Sequence, residues 1–122
     1  EFIETELKAS VERGAANRVV FTHHPLFTSD PNEEDTPGAL PLVRRKLLLE
    51  LFHKNDVSAG FAGHLHRNNY ASDGDMLMVA TTAVGMQAGD DDPGYRVVKV
   101  LPNGIQHQYY PFTSGSDSVQ LS

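Results

Sequence analysis

Two short apolar runs, each breaking off at a histidine, set the terms on which this chain can fold. Arg18-Val19-Val20-Phe21-Thr22 leads directly into His23-His24-Pro25, and Ser58-Ala59-Gly60-Phe61-Ala62 leads into Gly63-His64-Leu65-His66. Runs this short, apolar on both faces and without polar alternation, read as strands buried on both sides, which is the pattern of a parallel sheet covered by helices. Pro25 disfavours helix for the residue before it and has no N–H for a ladder, so the first strand is expected to stop there, leaving the imidazoles in the loop beyond. In parallel α/β sheets, sites form at such strand ends.

The spacing within each histidine group carries its own expectation. In an extended backbone, residues i and i+2 point to the same face with Cα atoms roughly 6.5 to 7 Å apart, so His64 and His66 are expected to converge. Two such rings can straddle a pair of ions about 3.5 to 4 Å apart. Gly63 allows a tight turn before them. Adjacent strand residues point to opposite faces, so only one of His23 and His24 is expected to aim at the same place, and the geometry does not say which.

The rest of the chain supplies the frame. The expected order is a helix over 2–13, a strand over 18–22, a long loop over 23–40, a helix over 41–54, a strand over 57–62, and then mostly strands. Phe2, Ile3, Leu7 and Val11 form one stripe of the first helix, which ends at Arg13-Gly14 and has no capping residue before it. That missing start suggests a chain that begins inside an element, a piece of something longer. The second helix carries Val43, Leu47, Leu48, Leu51 and Phe52 on a broad core face with Leu49 off it, and Arg44-Arg45-Lys46 reads as a solvated face. Asp73-Gly74-Asp75 and Pro102-Asn103-Gly104 each separate two β-rich runs and predict hairpins. His53 reads as a helix-end partner and His107 as a structural residue of the last strand.

Composition narrows the functions. A net charge of -6 argues against a nucleic-acid surface, and the apolar runs fall far short of the roughly 20 residues that span a bilayer. The absence of cysteine excludes disulfides, thiolate metal sites and cysteine nucleophiles, and leaves the compartment open. The acidic loops Asp30–Asp35 and Asp90-Asp91-Asp92 lack the spacing of a calcium loop and read as surface loops, the first lying close enough to His23-His24 to serve as a lid. Arg67 and Arg96 are the arginines whose guanidinium forks suit phosphate oxygens, against a plain surface role for each.

Taken together, these residues resemble the calcineurin-like metallophosphoesterases. Val19-Val20-Phe21-Thr22-His23-His24-Pro25 looks like that family's strand ending in His-x-Pro, and Gly60-Phe61-Ala62-Gly63-His64-Leu65-His66 looks like its strand ending in Gly-His-x-His. Glu1–Leu7, Thr82–Gln87 and the paired strands through Tyr109-Tyr110 look like the small single-domain branch, so the resemblance covers nearly all of residues 1–110. It implies an α/β fold, the C-terminal half of a two-sheet sandwich, with two parallel strands and flanking helices followed by antiparallel strands. Residues 1–112 would form the C-terminal part of the phosphoesterase domain, and 113–122 a flexible tail.

The resemblance further implies that His23 and His64 bind one metal and His66 another, with His24 at the variable position beside the substrate. The cofactors would be two divalent ions such as Mn, Fe or Zn, and the reaction hydrolysis of a phosphomonoester or phosphodiester by metal-activated water. Asp-x-His, Gly-Asp-x-x-Asp and Gly-Asn-His-Asp/Glu, the family's other ligand motifs, do not occur in this chain. The implied partners are therefore a phosphorylated substrate and the missing N-terminal half, with no nucleic acid and no membrane. A non-catalytic metal- or partner-binding module is the alternative, the histidines then serving structure alone.

Overall fold

In the computed structural model, which describes residues 1–114, the two histidine-ended runs lie side by side. Strand β1 (Val19–Thr22) pairs in parallel with β2 (Ala59–Ala62), Val19 opposite Ala59 and Thr22 opposite Ala62. Helix α1 (Phe2–Glu12) precedes β1, and α2 (Leu42–Lys54) forms the crossover between the two strands. Strands β3 (Asn69–Asp73) and β4 (Met76–Ala80) form a hairpin, and β4 also pairs in parallel with β2, giving the sheet order β1-β2-β4-β3. The sequence pointed to two parallel strands; β4, legible only as a hairpin arm, is the third. Strands β5 (Gly94–Leu101) and β6 (Gly104–Pro111) make a separate antiparallel sheet, followed by a short 3-10 helix, Phe112–Ser114. Residues 115–122 of the expected tail lie outside the described residues.

Side-chain alternation along the strands builds two cores. Toward the helices, Ala62, Met76 and Met78 meet Leu7 of α1, Leu49 and Phe52 of α2, and Leu26 and Phe27 from the loop after β1. On the opposite face, Ala59, Phe61 and Val79 pack with Val98 and Ile105 of the second sheet. Gly60 belongs to the helix side, where Met78 fills the space a side chain would need. Both hairpins form where the turn residues place them. Gly74 takes φ +57 at the first of two loop positions, and Gly104 opens β6 at φ +145, a region that L side chains rarely adopt.

Two helix faces differ from the pattern of their apolar residues. On α1 only Leu7 is buried, while Phe2, Ile3 and Val11 are exposed. On α2 the inward positions are Arg45, Leu49 and Phe52, and Val43 and Leu47 face outward. The cause is Arg45, which is fully buried and not solvated. Its guanidinium donates to the carbonyls of Leu40, Pro31 and Glu33, taking the place that a leucine stripe would otherwise occupy and tying the long loop to the helix. Among the described residues no helix is long and apolar enough to cross a membrane.

Candidate metal centre

The loops after β1 and β2 leave the same end of the sheet, so both histidine groups emerge together. Gly63 N–H donates to the His23 carbonyl at 3.1 Å, extending the β1–β2 pairing one step past the strands. The Thr22 hydroxyl donates to the His24 carbonyl at 2.7 Å and folds the chain back on itself just after β1. Because the backbone is no longer extended there, His23 and His24 do not point apart. Their ring centroids are 4.9 Å apart, His23 and His64 are 5.2 Å apart, and His24 and His64 are 3.7 Å apart. One ligand nitrogen from each of the three lies within 4.8 Å of the others.

His66 stands outside this three-imidazole group. His64 and His66 have φ of 61° and 53°, left-handed backbone in both cases, so the same-face rule for i and i+2 in a strand does not apply to them. The extended geometry behind the expectation that these two rings converge is absent at that turn, and the ring found beside His64 is that of His24. What holds His66 is its carbonyl, which accepts from the Thr82 hydroxyl at 2.9 Å and the Ala88 N–H at 2.8 Å.

His64 Nε2 lies 2.9 Å from the Pro37 carbonyl. A carbonyl only accepts, so in the neutral ring Nε2 carries the proton and Nδ1 presents its lone pair. A backbone carbonyl of this kind commonly orients a metal-binding histidine. Desolvation, followed by the nearby His64 and His23 rings, lowers the His24 pKa from its ordinary value, which favours the neutral, ligating form. The Pro37 segment is built rather than loose. Arg45 pins it from below, and Glu33 accepts from the N–H groups of Thr28, Ser29 and Asp30 and from the Ser29 hydroxyl.

These residues fit one divalent ion. Imidazole nitrogens bind such an ion at about 2.0 to 2.1 Å and so stand roughly 3.3 Å apart around a tetrahedron, inside the 4.8 Å limit within which these three nitrogens lie; three histidines with a fourth position open is a known catalytic set. A pair of ions would need carboxylates that this chain's sequence patterns do not provide.

The remaining residues singled out in the sequence are placed elsewhere. His53 Nε2 pairs with the Asp73 carboxylate at 2.7 Å. His107 contacts Arg96 at 3.0 Å and stacks on Tyr70, and burial together with Arg96 lowers its pKa. Arg67 is exposed, whereas Arg96 is committed to protein partners. Asp91, within the second acidic loop, accepts from the Asn68 N–H at 2.7 Å. A cleft of about 690 Å³, lined in part by Asn17, His53, Asp75 and Asn103, opens at the opposite ends of the strands and shares no residue with the imidazole group. Ligands of parallel sheets are bound at the carboxyl ends, which favours the imidazoles as the site.

The structure thus defines an α/β protein with a candidate histidine metal centre at the carboxyl ends of adjacent parallel strands. No family model matches the chain. It is similar to serine/threonine-protein phosphatase CPPED1 of Danio rerio, 39% identical over 109 residues, or 89% of this chain. The same phosphatase of Bos taurus is 36% identical over 109 residues, and that of Homo sapiens 34% identical over 111 residues, or 90% of this chain. The chain spans 35% of the length of each of these curated relatives.

Proposed function

We propose that this chain carries the imidazole half of a metal-dependent phosphoesterase site that acts on phosphoserine or phosphothreonine in proteins. The observation that supports it most is the group of His23, His24 and His64 at the ends of β1 and β2. The relatives' name, serine/threonine-protein phosphatase, supplies the substrate class. His23 and His64 are assigned to one ion and His24 to its third imidazole position or to the substrate side of it; His66 is assigned to a second ion. Carboxylates from outside residues 1–112 would complete both sets, and residues 1–112 would be the C-terminal part of the domain. A divalent ion held there supplies an activated water and positive charge against the phosphoryl oxygens.

This chain's own residues then have defined tasks. His64, its Nε2 proton held by the Pro37 carbonyl, keeps Nδ1 free to bind. His24, its pKa lowered by desolvation and by the neighbouring His64 and His23 rings, is favoured in the uncharged form that can bind an ion. Arg67, exposed on the loop just after His66, is assigned to the substrate phosphate, where a planar fork can bind two oxygens.

The test is hydrolysis of a phosphothreonine peptide in manganese by the full-length parent, which adds the carboxylates to these histidines, with metal content measured by elemental analysis; residues 1–122 alone should show no chelator-sensitive turnover above background. Turnover that a chelator removes, and that falls more than about a hundredfold in His64→Ala together with loss of an ion, is expected. A metal-free protein with undiminished turnover, or His64→Ala with unchanged metal and rate, would overturn the proposal.

A further inference from the structure

We infer that Arg96 is a positioning residue for the His64–His66 loop, acting through Asn68 and Thr81 to hold the left-handed backbone that sets both imidazoles. The inference rests on the reading of those histidines as metal ligands.

The loop has a reason to need support. A side chain at positive φ brings its Cβ against the backbone, and two such residues flank Leu65 within a single turn. Such conformations persist where the surroundings over-determine them, and they concentrate at functional sites. Most of the fastening lies downstream of His66. Asn68 Oδ1 accepts from the Thr82 N–H at 3.4 Å and from Arg96 Nη2 at 2.8 Å, and the Thr82 hydroxyl in turn holds the His66 carbonyl. Arg96 Nε donates to the Thr81 hydroxyl at 2.9 Å, and the Thr81 N–H donates to the Ala62 carbonyl at the end of β2. One guanidinium on β5 therefore joins the loops after β2 and β4, the two that enclose His66.

Arg96 has little capacity left for a substrate. Nη2 spends its second N–H on the Tyr70 hydroxyl at 2.9 Å, and Nη1 lies 3.0 Å from His107 Nδ1. Its Cζ sits 5.0 Å from the Tyr70 ring centroid and 5.6 Å from that of Tyr109. A rigid planar fork that also stacks on aromatic rings can meet these partners together; a lysine ammonium cannot. A phosphate contact by Arg96 would require breaking this set.

The experiment compares the unaltered protein with Arg96→Lys, Asn68→Ala and Asn68→Asp. Asn68→Ala removes the link to the loop and leaves Arg96 on Thr81, Tyr70 and His107, which guards against a general loss of folding. Asn68→Asp keeps the acceptor oxygen and should rescue. In the metal-free protein, backbone NMR couplings and Cα/Cβ shifts at His64 and His66 should leave their left-handed values in Arg96→Lys and Asn68→Ala. Titrated with Zn²⁺ or Mn²⁺, the same two variants should bind roughly tenfold or more weakly, in the range typical of residues that orient ligands, while thermal unfolding of Asn68→Ala stays close to that of the unaltered protein. Lowered melting temperature with unchanged loop signals and unchanged affinity would reduce Arg96 to a hairpin anchor and overturn the inference. Failure of the unaltered protein to bind either metal would overturn the proposed function instead, and the metal-free loop signals would still decide this inference.

Discussion

Glu33 ties the loop after β1 with one carboxylate. Burial alone would raise its pKa, but the donors from Thr28, Ser29 and Asp30 outweigh that and bring it down to about 2. A carboxyl depressed below its ordinary value of 4.5 stabilises the fold above that pH, and the contribution disappears as pH falls from about 4.5 toward 2. Melting temperatures of the protein and of Glu33→Gln should therefore differ most near neutrality and converge in that acid window; a difference constant with pH would remove the carboxylate's role. At the metal centre, His24→Ala should weaken the binding of a first divalent ion nearly as much as His23→Ala, more than about tenfold by titration, and His66→Ala should leave that first affinity closer to parental. An unaltered affinity in His24→Ala would return it to the substrate side. The two histidine motifs were legible in the sequence, but which rings meet was not. Pairing by strand alternation presumes extended backbone, and Thr22 and the left-handed His64 and His66 end that geometry at the first residue that matters.

At the scale of elements, hairpins and strand ends follow from local chemistry, which is why Asp73-Gly74-Asp75, Pro102-Asn103-Gly104 and Pro25 mark them well. Helix faces depend on what lies opposite, and there α2 departs from its leucines because Arg45 is needed beneath the loop. Replacing it with Met should leave the carbonyls of Leu40, Pro31 and Glu33 without donors and cost about 3 kcal/mol, read as a lower denaturation midpoint; a change below about 1 kcal/mol would show that water substitutes readily. Glycines give a second contrast. A methyl at Gly94 would run into the Tyr110 carbonyl and the Tyr109 ring, which are parts of the paired strand, whereas at Gly60 its tight contact would be with the end of the unbranched Met78 side chain at 3.1 Å, Val20 lying at an ordinary 3.5 Å. Gly94→Ala is expected to unseat the β5–β6 hairpin, and Gly60→Ala to be absorbed by a rotation of Met78. Near-equal melting temperatures for the two variants would contradict this.

For the whole molecule, the distribution of apolar surface is uneven. β1 is an outer strand among the described residues, Phe21 on it is 78% exposed against Phe61, and Phe2 on α1 is 77% exposed. Unpaired, apolar strand edges recruit other strands. The 122-residue chain on its own should self-associate with rising concentration in sedimentation experiments, and Phe21→Lys should shift it toward monomer. A monomer at every concentration would show that the edge is already protected. The parallel pairing has a further consequence through the single bond from Gly63 N–H to the His23 carbonyl. That amide proton can trade with solvent only when the ends of β1 and β2 part, so its exchange rate is a clock for the parting of His23 from His64. If it slows and speeds in step with the Phe61 amide as denaturant is varied, the two imidazoles stay together for as long as the sheet does. The protein then cannot release what they hold by a loop movement alone.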